Sequence, residues 1–130
     1  MKKKIMIVDD ETDIQTYLMA ALEDSGYSTC TVNDINDILG SIYREKPDLI
    51  ILDIMMPDRS GISIYREIHH TPELKTIPII LMSGLSSKNE FITKLFHDKK
   101  DSDKVAVPAV FMEKPIQLEK LEKQISNLLK

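Results

Sequence analysis

The sequence lacks several features that would each assign it to a particular class of protein. It has one cysteine, Cys30, so no intrachain disulfide can form. The neighbours Thr29, Thr31 and Val32 predict that this thiol is half-buried in a strand. No stretch approaches the roughly 18 apolar residues of a membrane span. The apolar run after the lysines at 2–4 is too short for a signal peptide, so we expect a cytoplasmic protein without a membrane partner.

An excess of basic residues is also missing. The formal net charge is −4 and the lysines are scattered along the chain, which argues against nucleic-acid binding by this chain. Apolar residues make up 42% and charged residues 29%, as in a soluble globular protein. With 130 residues we expect a single domain, residues 1–130, that is long enough to bury a core.

Acidic side chains follow two short apolar runs at the point where each run stops. Residues 5–8 lead directly into Asp9 and Asp10, and residues 49–52 lead into Asp53. If both runs are strands of one parallel sheet, their carboxyl ends meet at the same edge, where such sheets bind ligands. Three carboxylates at one edge repel one another, and either a raised pKa or a bound cation relieves that repulsion. Hard oxygen ligands suit Mg²⁺ better than Zn²⁺.

Two further apolar runs end in a hydroxyl and in a lysine. Residues 77–82 lead into Ser83, and residues 109–112 are followed by Glu113, Lys114 and Pro115. An acid cluster with a metal ion, a hydroxyl and an ammonium group makes a suitable cradle for a phosphoryl group.

The segments between these runs have helical spacing. With a strand near residues 27–32, the pattern predicts five strands alternating with five helices, and therefore βαβ units. Right-handed crossovers favour a doubly wound, flavodoxin-like α/β fold with a five-stranded parallel sheet of order 2-1-3-4-5. A capping box at 87–90 would open the fourth helix. The apolar faces of the five helices are predicted to contain Ile14, Tyr17, Leu18, Ala21 and Leu22; Ile35, Ile38, Leu39, Ile42 and Tyr43; Ile64 and Ile68; Phe91, Ile92, Leu95 and Phe96; and Leu118, Leu121, Ile125 and Leu128.

With these residues in place, the chain resembles the response-regulator receiver domains of two-component signalling, of the single-domain chemotaxis type. The resemblance implies that Asp53 accepts a phosphoryl group and that Asp9 and Asp10 form the acidic pair beside it. It also implies a Mg²⁺ site, which Mn²⁺ would also suit. The implied metal ligands are Asp10, Asp53, the backbone carbonyl of Met55, and Asp9 through a water molecule.

The same resemblance assigns the remaining positions. Ser83 matches the switch hydroxyl, Phe111 the switch aromatic, and Lys114 the lysine that precedes a usually cis proline, here Pro115. Pro57 and Gly61 complete the family's loop pattern after Asp53, Asp-x-x-Met-Pro-x-x-x-Gly.

The activity implied is phosphoryl transfer from a sensor histidine kinase or a histidine phosphotransfer protein. Such a chain is not an enzyme in the usual sense, because it catalyses only its own phosphorylation and dephosphorylation. The output would be a changed face, formed by the fourth helix, the fifth strand and the fifth helix, that binds a downstream protein. We expect no effector domain after the last predicted helix, which would make the chain either a stand-alone receiver or a part of a longer regulator.

The chain departs from the family pattern before the fifth strand, where residues 97–104 form a charged segment. This segment is either a solvated loop or an element that docks a particular partner. Met55 is a second notable residue, because a thioether cannot orient an attacking water. We therefore expect a relatively long-lived phosphorylated state.

Other functions stay open at the level of sequence. A phosphatase of the haloacid-dehalogenase type also uses an Asp nucleophile and Mg²⁺, but it needs Asp-x-Asp after the first strand, where this chain has Glu11 two residues after Asp9. A flavin-binding module would need a phosphate-binding loop in place of these acids. The third alternative is a receiver-like module that signals without phosphorylation.

Overall fold

A five-stranded parallel sheet forms the centre of the molecule. The structure is a computed structural model, and it describes residues 2–32, 34–57, 59–84 and 110–130. The strand order is β2-β1-β3-β4-β5, which confirms the predicted order. The strands are β1 (Lys4–Val8), β2 (Ser28–Thr31), β3 (Leu49–Asp53), β4 (Ile79–Ser83) and β5 (Phe111–Glu113).

The described residues contain four α-helices, and a 3₁₀ turn at Ile35–Asp37 precedes the second of them. The last helix corresponds to the fifth predicted helix. The fourth predicted helix, with the capping box at 87–90, lies outside the described residues, as does the charged segment 97–104. A total of five helices therefore stays a prediction. The four described helices are α1 (Thr12–Asp24), α2 (Ile38–Glu45), α3 (Gly61–His69) and α4 (Leu118–Leu128).

The helices cover both faces of the sheet, which explains why β3 is apolar along its length. Side chains of a strand alternate between the faces, so Ile50 and Leu52 pack on one side and Leu49 and Ile51 on the other. The first face is covered by α2 and α3, and the second by α1 and α4. Burying each such side chain contributes about 1.5–3 kcal/mol. Both faces of the sheet therefore stabilise the strand that carries Asp53.

Three details of the predicted elements were wrong. Strand β4 begins at Ile79 rather than at residue 77, because Pro78 has no N–H for the ladder and only its carbonyl is used, by the N–H of Ile50. Tyr17 and Tyr43 were placed on apolar helix faces, but they are 52% and 48% exposed. The hydroxyl of Tyr43 needs a polar partner and donates to the Glu73 carboxylate at 3.3 Å.

Candidate functional site

The polar residues that follow the strands meet at the carboxyl edge of the sheet. In the register of the sheet, Val8 of β1 lies opposite Leu52 of β3, so the residues that follow, Asp9 and Asp53, are neighbours. Asp53 is in turn paired with Met82, the residue before Ser83. Parallel pairing therefore brings together residues that lie far apart in the sequence.

Asp53 is a buried carboxylate with two different partners. Its side chain is 1% exposed. The backbone N–H of Met55 donates to Oδ1 at 3.0 Å, and the ammonium of Lys114 donates to Oδ2 at 3.1 Å. Burial raises the pKa of Asp53, and the nearby Asp9 charge adds to this, while the two hydrogen bonds and the Lys114 charge oppose it. The net effect is that the pKa of Asp53 is raised above the ordinary value of an aspartate.

Asp9 repeats this arrangement on the neighbouring strand. Its Oδ1 accepts a hydrogen bond of 2.8 Å from the backbone N–H of Glu11. Its backbone carbonyl accepts a hydrogen bond from the side-chain amide of Gln15. Its Oδ2 forms an ion pair with Lys114 Nζ at 3.1 Å. Each acid thus has one oxygen fixed by the backbone N–H two residues ahead, with the other oxygen next to the same ammonium.

Lys114 is the group that joins these acids. Its backbone N–H donates to the carbonyl of Ser83 at 2.8 Å, which anchors it to β4, and the Lys114–Pro115 peptide bond is cis. The lysine side chain is 16% exposed. Burial lowers the pKa of Lys114, but the hydrogen bonds and charges of Asp9 and Asp53 outweigh it, so the net pKa is raised. The lysine is therefore held as a cation between two buried anions.

A third acid, Glu11, contacts the same lysine and was not among the predicted site residues. Its Oε1 lies 3.4 Å from Lys114 Nζ, and its side chain is 59% exposed. The available signal was its position directly after the acidic pair. Sequence alone did not show that a residue 103 positions away would reach it.

The acidic side chains fit a hard divalent cation. One carboxylate oxygen from each of Asp9, Asp10, Glu11 and Asp53 lies within 4.8 Å of the others. The buried Oδ2 of Asp9 is paired with the Lys114 ammonium at 3.1 Å, and a carboxylate oxygen can accept more than one such contact. Asp10 and Glu11 are exposed, so bound water has access. An all-oxygen site open to water is the kind that Mg²⁺ prefers.

The loop after Asp53 is held close to the strand end by a glycine. A β-carbon at Gly61 would lie 2.3 Å from the carbonyl oxygen of Asp53 and 2.5 Å from Ile54 Cα. Ser60 caps α3, because its hydroxyl accepts from the N–H of Ile62 at 3.1 Å. Pro57 lies exposed in the same loop. Only a residue without a side chain permits this close approach of helix and strand.

The predicted switch residues lie on the strands next to the acids. Ser83 is the buried last residue of β4 and is paired with Glu113. Phe111 is partly buried and pairs with Leu81, so it lies two positions further from the strand ends than Ser83 does. The structure thus places Asp9, Asp53 and Lys114 in direct contact, Asp10 at the rim, and Ser83 on the adjoining strand.

Comparison with known proteins agrees with this geometry. The family model of the response regulator receiver domain matches residues 5–126, so the chain belongs to that family. Receiver domains are signalling modules that interact with histidine kinases or phosphotransfer proteins and with effectors, and they generally bind Mg²⁺ at an acidic pocket.

Solved structures show the same fold. A signal receiver domain of a histidine kinase from Syntrophus aciditrophicus is 29% identical, with a TM-score of 0.79 over 98% of this chain and 89% of that one. A response regulator from Chloroflexus aurantiacus is 22% identical, with a TM-score of 0.82 over 99% and 98%. The chemotaxis protein CheY4 of Vibrio cholerae is 22% identical, with a TM-score of 0.80 over 99% and 100%. Within the described part of this chain, no helix is long and apolar enough to cross a membrane.

Proposed function

We propose that this receiver domain accepts a phosphoryl group on Asp53 from the phosphohistidine of a sensor histidine kinase or a histidine phosphotransfer protein. The observation that carries the proposal is the position of Lys114 Nζ, 3.1 Å from an oxygen of Asp53 and 3.1 Å from an oxygen of Asp9. A buried carboxylate with a cation beside it, at the open edge of the sheet, is suited to receive an anionic group. The reaction takes place in the cytoplasm, and the chain catalyses only its own phosphorylation and dephosphorylation.

In the proposed reaction, a carboxylate oxygen of Asp53 forms a bond to phosphorus as the bond from phosphorus to the donor imidazole breaks. The electron pair of the broken bond leaves with the imidazole nitrogen. The Lys114 ammonium offsets negative charge on the transferring oxygens. The N–H of Met55 fixes the orientation of the Asp53 carboxylate, because it holds Oδ1 at 3.0 Å.

Mg²⁺, or Mn²⁺ in its place, would be held by Asp10, Asp53, the backbone carbonyl of Met55, and Asp9 through a water molecule. A bound divalent cation supplies Lewis-acid stabilisation of the negative charge that accumulates during phosphoryl transfer. The chain's own contribution is to gather oxygen ligands from the ends of β1 and β3. Gly61 and Pro57 shape the loop that holds the Met55 backbone, and Pro115 shapes the turn after Lys114.

The acyl phosphate adds about two negative charges at the end of β3. We propose that Ser83 then donates a hydrogen bond to the phosphoryl group and that Phe111 changes position in response. The face that includes β5 and α4 would change with them, and a downstream protein or an attached effector domain would detect the change.

The experiment that tests this function is an intact-mass measurement after incubation with acetyl phosphate and Mg²⁺. We expect a gain of about 80 Da that requires the metal and is absent in Asp53→Asn. The matched control is Asp48→Asn, because Asp48 immediately precedes the N-terminal end of β3, at the opposite end of the strand from Asp53. An amide there still accepts the 2.8 Å hydrogen bond from the N–H of Lys4.

A mass gain in Asp53→Asn equal to that of the wild type would contradict the assignment of the acceptor. No gain with acetyl phosphate or with a phosphorylated histidine phosphotransfer protein would instead favour a receiver that signals without phosphorylation.

A further inference from the structure

Glu11 differs from the other acids that contact Lys114. Asp9 and Asp53 are buried, whereas the Glu11 side chain is 59% exposed and lies at the opening of the site. Its main chain is fixed, because its N–H donates to Asp9 Oδ1 at 2.8 Å and its carbonyl accepts from the N–H of Gln15 at 3.1 Å. The carboxylate is therefore attached to a rigid point, where β1 passes into α1, and is directed towards the lysine.

This position affects an incoming phosphoryl group in two ways. A Glu11 oxygen belongs to the set of carboxylate oxygens that lie within 4.8 Å of one another, and this set includes Asp53. A donor that reaches Asp53 must therefore bring its negative charge close to that of Glu11. Glu11 also contacts the ammonium of Lys114 at 3.4 Å, so it competes with phosphoryl oxygens for that cation. Both effects oppose the entry of a free anion.

We propose that Glu11 is a specificity-determining residue that slows phosphorylation of Asp53 by small, highly charged phosphodonors. The inference rests on the proposed function of Asp53. A small donor depends on the field at the opening of the site, because its whole charge must pass Glu11. A phosphohistidine donor on a protein gains binding energy from a larger contact surface and is less sensitive to one charge at the rim.

The size of the effect follows from Coulomb's law. A negative unit charge, such as that of the Glu11 carboxylate, lowers the local concentration of a doubly charged anion about 6 Å away by about tenfold in a water-like dielectric. Salt at about 0.1 M reduces the factor to about fourfold. For a singly charged donor the factor under the same conditions is about twofold. The inference therefore predicts that the effect of Glu11 depends on the charge of the donor.

The test compares initial rates of phosphorylation of the wild type and Glu11→Gln at pH 7 and saturating Mg²⁺. Acetyl phosphate is the doubly charged donor and phosphoramidate the singly charged one. We expect Glu11→Gln to react about fourfold faster with acetyl phosphate and about twofold faster with phosphoramidate, with both gains shrinking as salt is added. Asp24→Asn is the matched control, because it removes one charge at the far end of the same helix, about 20 Å away.

Equal gains with the two donors, or an equal gain in Asp24→Asn, would overturn the inference while leaving phosphorylation of Asp53 intact. The inference would also be overturned if Glu11→Gln required a higher Mg²⁺ concentration but reacted no faster than the wild type at saturating Mg²⁺. Glu11 would then be a ligand of the metal ion. Absence of phosphorylation in every variant with both small donors would overturn the inference alone, because the proposed function fails only if a phosphorylated histidine phosphotransfer protein also leaves Asp53 unmodified. Thermal melting of both variants shows whether the fold is retained.

Discussion

Replacing Gly61 by alanine tests how closely α3 is packed against the strand that carries the phosphoryl acceptor. The new β-carbon would lie 2.3 Å from the Asp53 carbonyl oxygen and 2.5 Å from Ile54 Cα. Both are main-chain atoms and cannot rotate away, so the loop itself must shift. Overpacking of this kind costs about 1–3 kcal/mol, and because Gly61 is the first residue of α3, better helix propensity returns only a fraction of the roughly 1 kcal/mol gained in a helix interior. The net loss of unfolding free energy is therefore about 1–2 kcal/mol.

The assay is urea unfolding followed by circular dichroism, with thermal melting as a second measure. For a chain of this size we expect the melting temperature to fall by about 3–10 °C. Phosphorylation of Asp53 should also slow by about tenfold or more, because the strand end that presents the carboxylate is displaced.

The matched control is Gly40→Ala, within α2. The nearest atoms to a β-carbon there belong to the Asp37 side chain, with Oδ1 at 2.3 Å, and that carboxylate can rotate away. Its ion pair with Arg44 is exposed, so losing it costs little. Better helix propensity should make this variant neutral or more stable by up to about 1 kcal/mol. If Gly61→Ala is as stable as the wild type, or if Gly40→Ala is equally destabilised, the steric argument is refuted.

Two further substitutions and one chemical reaction have defined outcomes. Lys114→Met leaves Asp9 and Asp53 without their shared ammonium, so the unfolding free energy in EDTA should fall by about 1–3 kcal/mol and partly recover in Mg²⁺. An unchanged urea midpoint in both buffers would contradict this. Met55→Asn should shorten the lifetime of the phosphorylated state severalfold, because an amide can orient the attacking water, and an unchanged decay rate would refute the expectation. Burial raises the pKa of Cys30 from 9.0 to about 11, so its thiolate fraction at pH 8 is about 100-fold smaller than that of a free thiol. The reaction of Cys30 with a chromogenic disulfide reagent should be correspondingly slow in the folded protein and fast in urea. A fast reaction in the folded protein would contradict the burial of Cys30.

The sheet order could be predicted from the sequence because the central strands β1, β3 and β4 are buried and each leads to a polar residue at its carboxyl end. A run such as residues 49–52 has no polar side to expose, and Asp53 is the first polar residue after it. The same polar residues predicted that Asp9 and Asp53 lie close together, since parallel strands carry their carboxyl ends to one edge. The half-buried position of Cys30 in β2 was also predicted and is confirmed.

Other features depend on contacts that no local pattern encodes. The contact of Glu11 with Lys114 exists only after β1 and β5 have entered the same sheet. Tyr17 fits helical spacing as well as Leu18 does, but only packing decides which of the two faces the sheet. The need for glycine at position 61 likewise follows from a close approach to Asp53 that becomes visible only in three dimensions.

The most direct test of the account is to locate the phosphoryl group chemically. Borohydride reduces an aspartyl phosphate to homoserine, which marks the modified residue permanently. After treatment with acetyl phosphate and Mg²⁺ followed by borohydride, peptide mass spectrometry should find homoserine at position 53 and none at positions 9 or 10. Homoserine at either of those positions, with aspartate intact at 53, would contradict the assignment of Asp53 as the phosphoryl acceptor.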